Sequence, residues 1–358
     1  MPPGRIDRAL DATDGSTQAR GPSSTGAPDR PEIEVVRADP LPRRLSVRWR
    51  RAGAAEGRPR EFHPLRAALL GAVLVAVAWW LPGAAVFVGM LAVIIVIHEA
   101  GHYVVARRCG MRPTEFFLGF GPTVWSRTTK SGLRWGVKAV IFGGYVKIPG
   151  MGPKEEVEAS LEPYTYRAAS RPRRMAVILA GVTANFVLAV TLFWGFAMWS
   201  PAIHVGPVRA ATGSVSLMQE VSVDTLAGLR DLVTGAGGYA SSVASGSVPK
   251  ERMVSAVGGA QLTQGLLSQH PSRLLLLAGL FSTSIAVFNL LPLLPLDGGH
   301  AAIIIMEGTW ARLRGRPRYR LDPNRFRVVA AVVVIALLAL GVSSMYVDII
   351  HPISSAVG

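Results

Sequence analysis

His98, Glu99 and His102, in the run IIVIHEAGH at 94–102, are the residues of this chain best placed to do chemistry together. On an α-helix, residues four apart lie one turn apart on one face, so the imidazoles of His98 and His102 can hold one metal ion. Zinc suits that pair, and Glu99 would reach a water brought to it. The competing reading is two structural histidines on an ordinary helix. The setting favours the metal: residues 91–97 are unbroken hydrocarbon, where ionisable groups are costly and point to function.

Two histidines leave zinc short, because a catalytic site takes three protein ligands and keeps a further position for water. Asp297, in NLLPLLPLDGGH at 289–300, is the only carboxylate within or immediately beside the apolar run at 274–295. Pro292 and Pro295 bend the chain, and Gly298 and Gly299 allow close approach, so Asp297 can turn inward. It can equally be the N-cap of a helix starting at Gly298. The residues alone leave both readings open. The single cysteine, Cys109, excludes an internal disulfide framework and a cysteine-type zinc site.

The elements that must position these groups are apolar. Half of the 358 residues are hydrophobic and the mean hydropathy is +0.34, which fits a membrane protein. Five spans are expected, at about 65–81, 84–105, 175–199, 274–295 and 328–347. From Ala84 to His98 is roughly 21 Å of helix, which puts the histidines inside the bilayer. Residues 1–61 read as a disordered basic arm, and no secretory signal is expected because the first apolar run starts too late. Within a β-loop at about 137–151, the run 137–148 (VKAVIFGGYVKI) reads as a bent β-hairpin broken at Gly143 and Gly144. Segment 201–270 is Gly- and Ser-rich, with a short amphipathic pattern at 223–233; a basic loop at 308–327 and a short tail at 351–358 complete the chain. The fold expected is an all-α polytopic membrane protein with a small membrane-associated β-hairpin or β-loop, its membrane domain at 62–350.

The net charge of +15 does not imply nucleic acid. The arginines cluster in the arm and in loops flanking apolar runs, without interleaved aromatic residues. With five spans, the arm and the basic segments 107–174 and 312–327 share one side. That side is cytoplasmic by the positive-inside rule, which leaves the C-terminus outside the cell membrane.

HEAGH in a span, FGGYVKIPGM after it, AGVTANF in the next and NLLPLLPLDGGH later resemble the site-2 protease family of intramembrane zinc metalloproteases. The likeness covers about 88–347 and is nearest to bacterial members that cut anti-sigma factors and remnant signal peptides. It implies that His98, His102 and Asp297 hold one Zn2+ and that Glu99 is the general base. It implies that the segment around Gly143 and Gly144 offers a strand edge to an unwound substrate, and that Asn185 and Asn289 hold substrate or transition-state oxygens. Both asparagines can also be read as interhelical glue. The substrate expected is a single-span membrane protein already trimmed by another protease. The sequence departs from the pattern at Val182, where the family often has proline, and segment 201–270 is read as containing no PDZ domain. Two other readings stand beside this one. One is a membrane-anchored zinc enzyme acting on soluble peptides; the other is a transporter or an inactive relative that binds membrane segments.

Overall fold

A computed structural model of the chain describes residues 61–152, 155–200, 203–249, 253–315, 321 and 326–353. The expected N-terminal arm lies outside the described residues except at its last position, as do parts of the 308–327 loop and of the tail. The elements run β1 (Glu61–Phe62), α1 (Pro64–Trp80), α2 (Pro82–Arg108), β2 (Glu115–Thr128), β3 (Arg134–Lys147) and α3 (Arg171–Trp199). They continue with α4 (Pro207–Thr234), α5 (Ala236–Ala244), α6 (Ala256–Gln269), α7 (Arg273–Asn289), α8 (Asp297–Leu313) and α9 (Arg327–Ile350).

Helices α2, α3 and α9 have 27, 29 and 24 residues and are apolar enough to cross a membrane; α1 and α7 are apolar helices of 17 residues. At 1.5 Å per residue the three long ones exceed a hydrocarbon layer of about 30 Å. The chain is thus a mainly helical polytopic membrane protein, as expected. Proline opens α1, α2 and α4, where its missing N–H costs no hydrogen bond. Arg107 and Arg108 end α2 and complement its dipole.

The fourth apolar run differs from expectation. The helix stops at Asn289 rather than near 295, and a second helix, α8, starts at Asp297. Both lie along α3 in succession. Leu275 meets Gly195, Gly279 meets the Phe193 ring, and Ser282 Oγ donates to the Asn185 carbonyl at 2.9 Å. Further along, Glu307 of α8 pairs with Arg174 near the start of α3. Together α7 and α8 form one broken helix antiparallel to α3, with its break at 290–296. The two prolines cannot continue the ladder, and the Gly298 and Gly299 backbones pack against the carbonyls of Leu290, Leu291 and Leu293, leaving no room for a Cβ.

The small β element is present, but 137–148 is not a hairpin by itself. The hairpin is made by β2 and β3. Residues 123–128 pair antiparallel with 134–138, and residues 115–118 pair with both halves of β3, parallel to 134–137 and antiparallel to 144–147. The two halves of β3 therefore run in opposite directions with 115–118 between them, and Gly143, at φ +103°, lies at the reversal. Strand β2 escaped the sequence reading because Gly119, Gly121 and Pro122 break its alternation. β1 closes the outer edge on Trp125 and Ser126.

Segment 201–270 is more ordered than its composition suggests. The amphipathic pattern at 223–233 belongs to the 28-residue helix α4, which packs on α3 and α7. Helix α6 lies against the start of α2: Gln264 Oε1 accepts from the Gly83 amide at 2.7 Å, and Gly259 lies on the Phe87 ring. Asp348 at the end of α9 is fully buried and accepts from the Ser255 amide at 2.8 Å, so the start of α6 anchors a helix whose apolar stretch is otherwise largely exposed.

Candidate metal centre

Helix α2 sets His98 and His102 one turn apart, as their spacing predicts, and both are buried. The backbone of α3 crosses them at close range. Gly181 lies so near that an added Cβ would touch His102 Nε2 and stand 2.7 Å from His98 Cε1 and 2.8 Å from His102 Cε1. Gly101 of α2 faces the Ala180 carbonyl and Ala184 in the same way, with Cβ separations of 2.6 and 3.0 Å. Small residues on both helices let their backbones approach. One turn before Gly181, the Val177 carbonyl lies 2.8 Å from His102 Nδ1. A carbonyl only accepts, so the Nδ1 proton is fixed there and Nε2 of the neutral ring keeps its lone pair.

Asp297 completes the group from α8. Its N-cap reading fails: the cap is Leu296, without a side-chain cap bond, and Asp297 is the first helical residue. Its Oδ2 lies 3.1 Å from His98 Nε2 and 3.3 Å from His102 Nε2, while the two nitrogens are 3.1 Å apart. Four-coordinate zinc with bonds of roughly 2.0–2.1 Å holds its donor atoms about 3.3 Å apart, so this triangle fits one face of a tetrahedral site. The carboxylate oxygen sits close to both nitrogens yet accepts no hydrogen bond among the described residues. With Nε2 of His98 bare as well, the three inward-facing acceptors would repel unless a cation joined them. Among the described residues this is the one cluster of histidine and carboxylate ligand atoms able to hold a metal.

Glu99 lies beside that triangle on α2, half-buried, and the second half of β3 covers it. Gly144 brings the strand so close that an added Cβ would stand 3.0 Å from Ile95 Cγ2, 3.1 Å from the Phe117 carbonyl and 3.2 Å from Glu99 Cγ. The Val146 backbone also lies near the Glu99 carboxylate. Among the described residues, 144–147 pair only with 115–118, which leaves their other edge open beside Glu99. Gly143 contacts the Phe120 ring at the bend instead of the carboxylate. Tyr145 stacks on Phe117 and donates to Glu115 at 2.6 Å; burial and that carboxylate hold its phenol well above the usual range.

Asn185 follows Gly181 by one turn of α3 and is fully buried, and among the described residues neither its Nδ2 nor its Oδ1 has a partner. Asn289 is half-buried and ends α7 at the start of the break. From the sequence, Arg174 counts only as one of the basic residues of 107–174, and Gly181, Val177 and Glu307 have no assigned role. Gly181 carried a usable signal, since a small residue one turn before a buried asparagine marks a helix contact. The Val177 contribution is a main-chain oxygen, which no side-chain pattern reveals.

The model of peptidase family M50 matches residues 86–340. Over 170 residues the chain is 36% identical to the zinc metalloprotease Rip1 of Mycobacterium tuberculosis, a stretch covering 46% of this chain and 41% of that protein. It is 34% identical over 140 residues to the regulator of sigma-E protease RseP of Escherichia coli, covering 39% of this chain and 31% of the relative. To Rip1 of Mycolicibacterium smegmatis it is 36% identical over 136 residues, 37% of this chain and 33% of that one. The chain thus spans about a third to two-fifths of the length of these curated relatives.

Proposed function

The chain belongs to peptidase family M50, and on that premise we propose that it is a zinc endopeptidase that hydrolyses peptide bonds in or near the transmembrane segments of single-span membrane proteins. The observation that carries this reading is the convergence of His98, His102 and Asp297 among apolar helices with Glu99 beside them. One zinc ion held by those three residues would act as a Lewis acid on the scissile carbonyl and lower the pKa of a water. Glu99 takes the proton from that water and returns it to the leaving amine. The unpartnered amide of Asn185 donates to the oxygen on which charge builds, and Asn289 binds substrate backbone from the break in the α7–α8 helix.

A membrane-spanning substrate hides its peptide bonds in helical hydrogen bonds, so it must unwind before cleavage. The open edge at 144–147 then pairs with the freed backbone beside Glu99, and Gly144 permits that approach while Gly143 supplies the bend. A role in regulated intramembrane proteolysis, on an anti-sigma factor or a remnant signal peptide already cut by another protease, agrees with relatives named as a zinc metalloprotease and a regulator of sigma-E protease. The placement proposed is a multi-pass cell-membrane protein with its N-terminus in the cytoplasm and C-terminus outside, supported by the distribution of basic residues.

The test compares the membrane proteome of cells carrying the wild-type chain with that of cells carrying Glu99→Gln. Single-span fragments that accumulate only with the variant, and that the purified wild-type protein cuts, are the expected result. Identical proteomes together with zinc-loaded protein that cuts no span would overturn the reading. A reporter fused after Gly358 and found in the cytoplasm would overturn the orientation.

A further inference from the structure

Arg174 of α3 and Glu307 of α8 form an ion pair whose side chains are 5% and 2% exposed. Burying two charges costs several kcal/mol per ion, and an apolar pair of similar volume is often as stable or more so. Stability alone therefore does not account for the pair. Its position does. Arg174 stands one turn before Val177, whose carbonyl orients His102, and two turns before Gly181, which admits both imidazoles. Glu307 stands on the helix that begins with Asp297. Between the two, Val177 and Ile178 share a buried cluster with Ala301 and Ile304.

Apolar contacts hold α8 against α3 but tolerate sliding along it, whereas a hydrogen-bonded charge pair is satisfied in one register. Glu307 is fixed from a second side as well, because its Oε1 accepts from the Leu321 amide at 3.0 Å. A slip of α8 by a single residue moves Asp297 about 1.5 Å along the axis and turns it by about 100°. Coordination at about 2 Å does not survive that.

We propose that Arg174 and Glu307 are positioning residues that set the register of α8 on α3, and thereby the distance of Asp297 from His98 and His102. This rests on the zinc reading above. The test uses the full chain in detergent, with Zn2+ retention against a chelator and the visible spectrum of the Co2+-loaded protein as readouts. Glu307→Gln is expected to lose Zn2+ at least tenfold more readily and to change the Co2+ bands, and the exchanged pair Arg174→Glu/Glu307→Arg to recover both. Should Glu307→Gln fail to fold, the apolar pair Arg174→Met/Glu307→Leu carries the test, because it leaves no lone buried charge. Weakened Zn2+ retention in that variant at unchanged thermal stability supports the proposal; wild-type retention and spectrum overturn it. A wild-type protein that binds neither ion would instead defeat the zinc reading itself.

Discussion

Gly181 of α3 lies flush against the imidazole of His102 on α2, with no space between them for a methyl group. The closest atom is Nε2, the nitrogen left bare by the bond from Nδ1 to Val177. Gly181→Ala is therefore expected to displace the ring or the helix and to lower zinc content severalfold in a protein that still folds. Elemental analysis beside circular dichroism checks this, and full zinc occupancy in the alanine variant would contradict it.

Glu99 is outside the ligand triangle, so its replacement separates binding from chemistry. Glu99→Gln should keep wild-type zinc content while cleavage falls by roughly 10²–10⁴-fold, the usual contribution of a general base. Cleavage at the wild-type rate would remove Glu99 from that role.

Asn185 is buried with both amide atoms unpartnered among the described residues, so an isosteric apolar replacement breaks no hydrogen bond there. Asn185→Leu is expected to melt at or above the wild-type temperature while cleavage drops about 10²–10³-fold, as for loss of one donor to a developing charge. A lower melting temperature with normal cleavage would show helix glue instead.

Gly144 carries the approach of β3 to α2. Gly144→Val would press on Ile95, Phe117 and Glu99 at separations of 3.0–3.2 Å, forcing strand and helix apart. A fall in cleavage with zinc content unchanged is the expected outcome, read by paired activity and metal assays.

The loop before α3 has a pH limit. Arg167 donates to both oxygens of Glu162 at 2.7 and 2.6 Å, and these bonds hold the Glu162 carboxyl below its ordinary value of 4.5. A carboxyl lowered by folding contributes stability above 4.5 that is lost as pH falls through its folded value. The pair is part-exposed, so the effect is local. Proteolysis within 155–170 should stay slow at pH 6 and quicken below pH 4.5, and Glu162→Gln should remove that dependence.

Much of the site was legible because helical periodicity is a local property. The spacing of His98 and His102 fixed their common face before any tertiary contact was known, and the apolar runs placed four of the five expected spans near the helices observed. Legibility ended where one element meets another. Asp297 read equally well as a cap or a ligand, since both need only an acid at a helix start. Strand β2 was hidden by its glycines and proline, and α4 by a composition that resembles a connector.

The sequence by itself determined which groups are available, that two imidazoles share a helix face, and that the helix carrying them is apolar. Tertiary structure alone decided that Asp297 turns toward them, that the Val177 carbonyl selects the His102 tautomer, that Gly181 and Gly144 are spaces instead of flexible points, and that Arg174 finds Glu307. The reason is physical. A helix repeats every few residues along one chain, so its face is written locally. The approach of α8 and β3 to α2 and α3 is set by packing between segments far apart in the chain, and no short pattern encodes it.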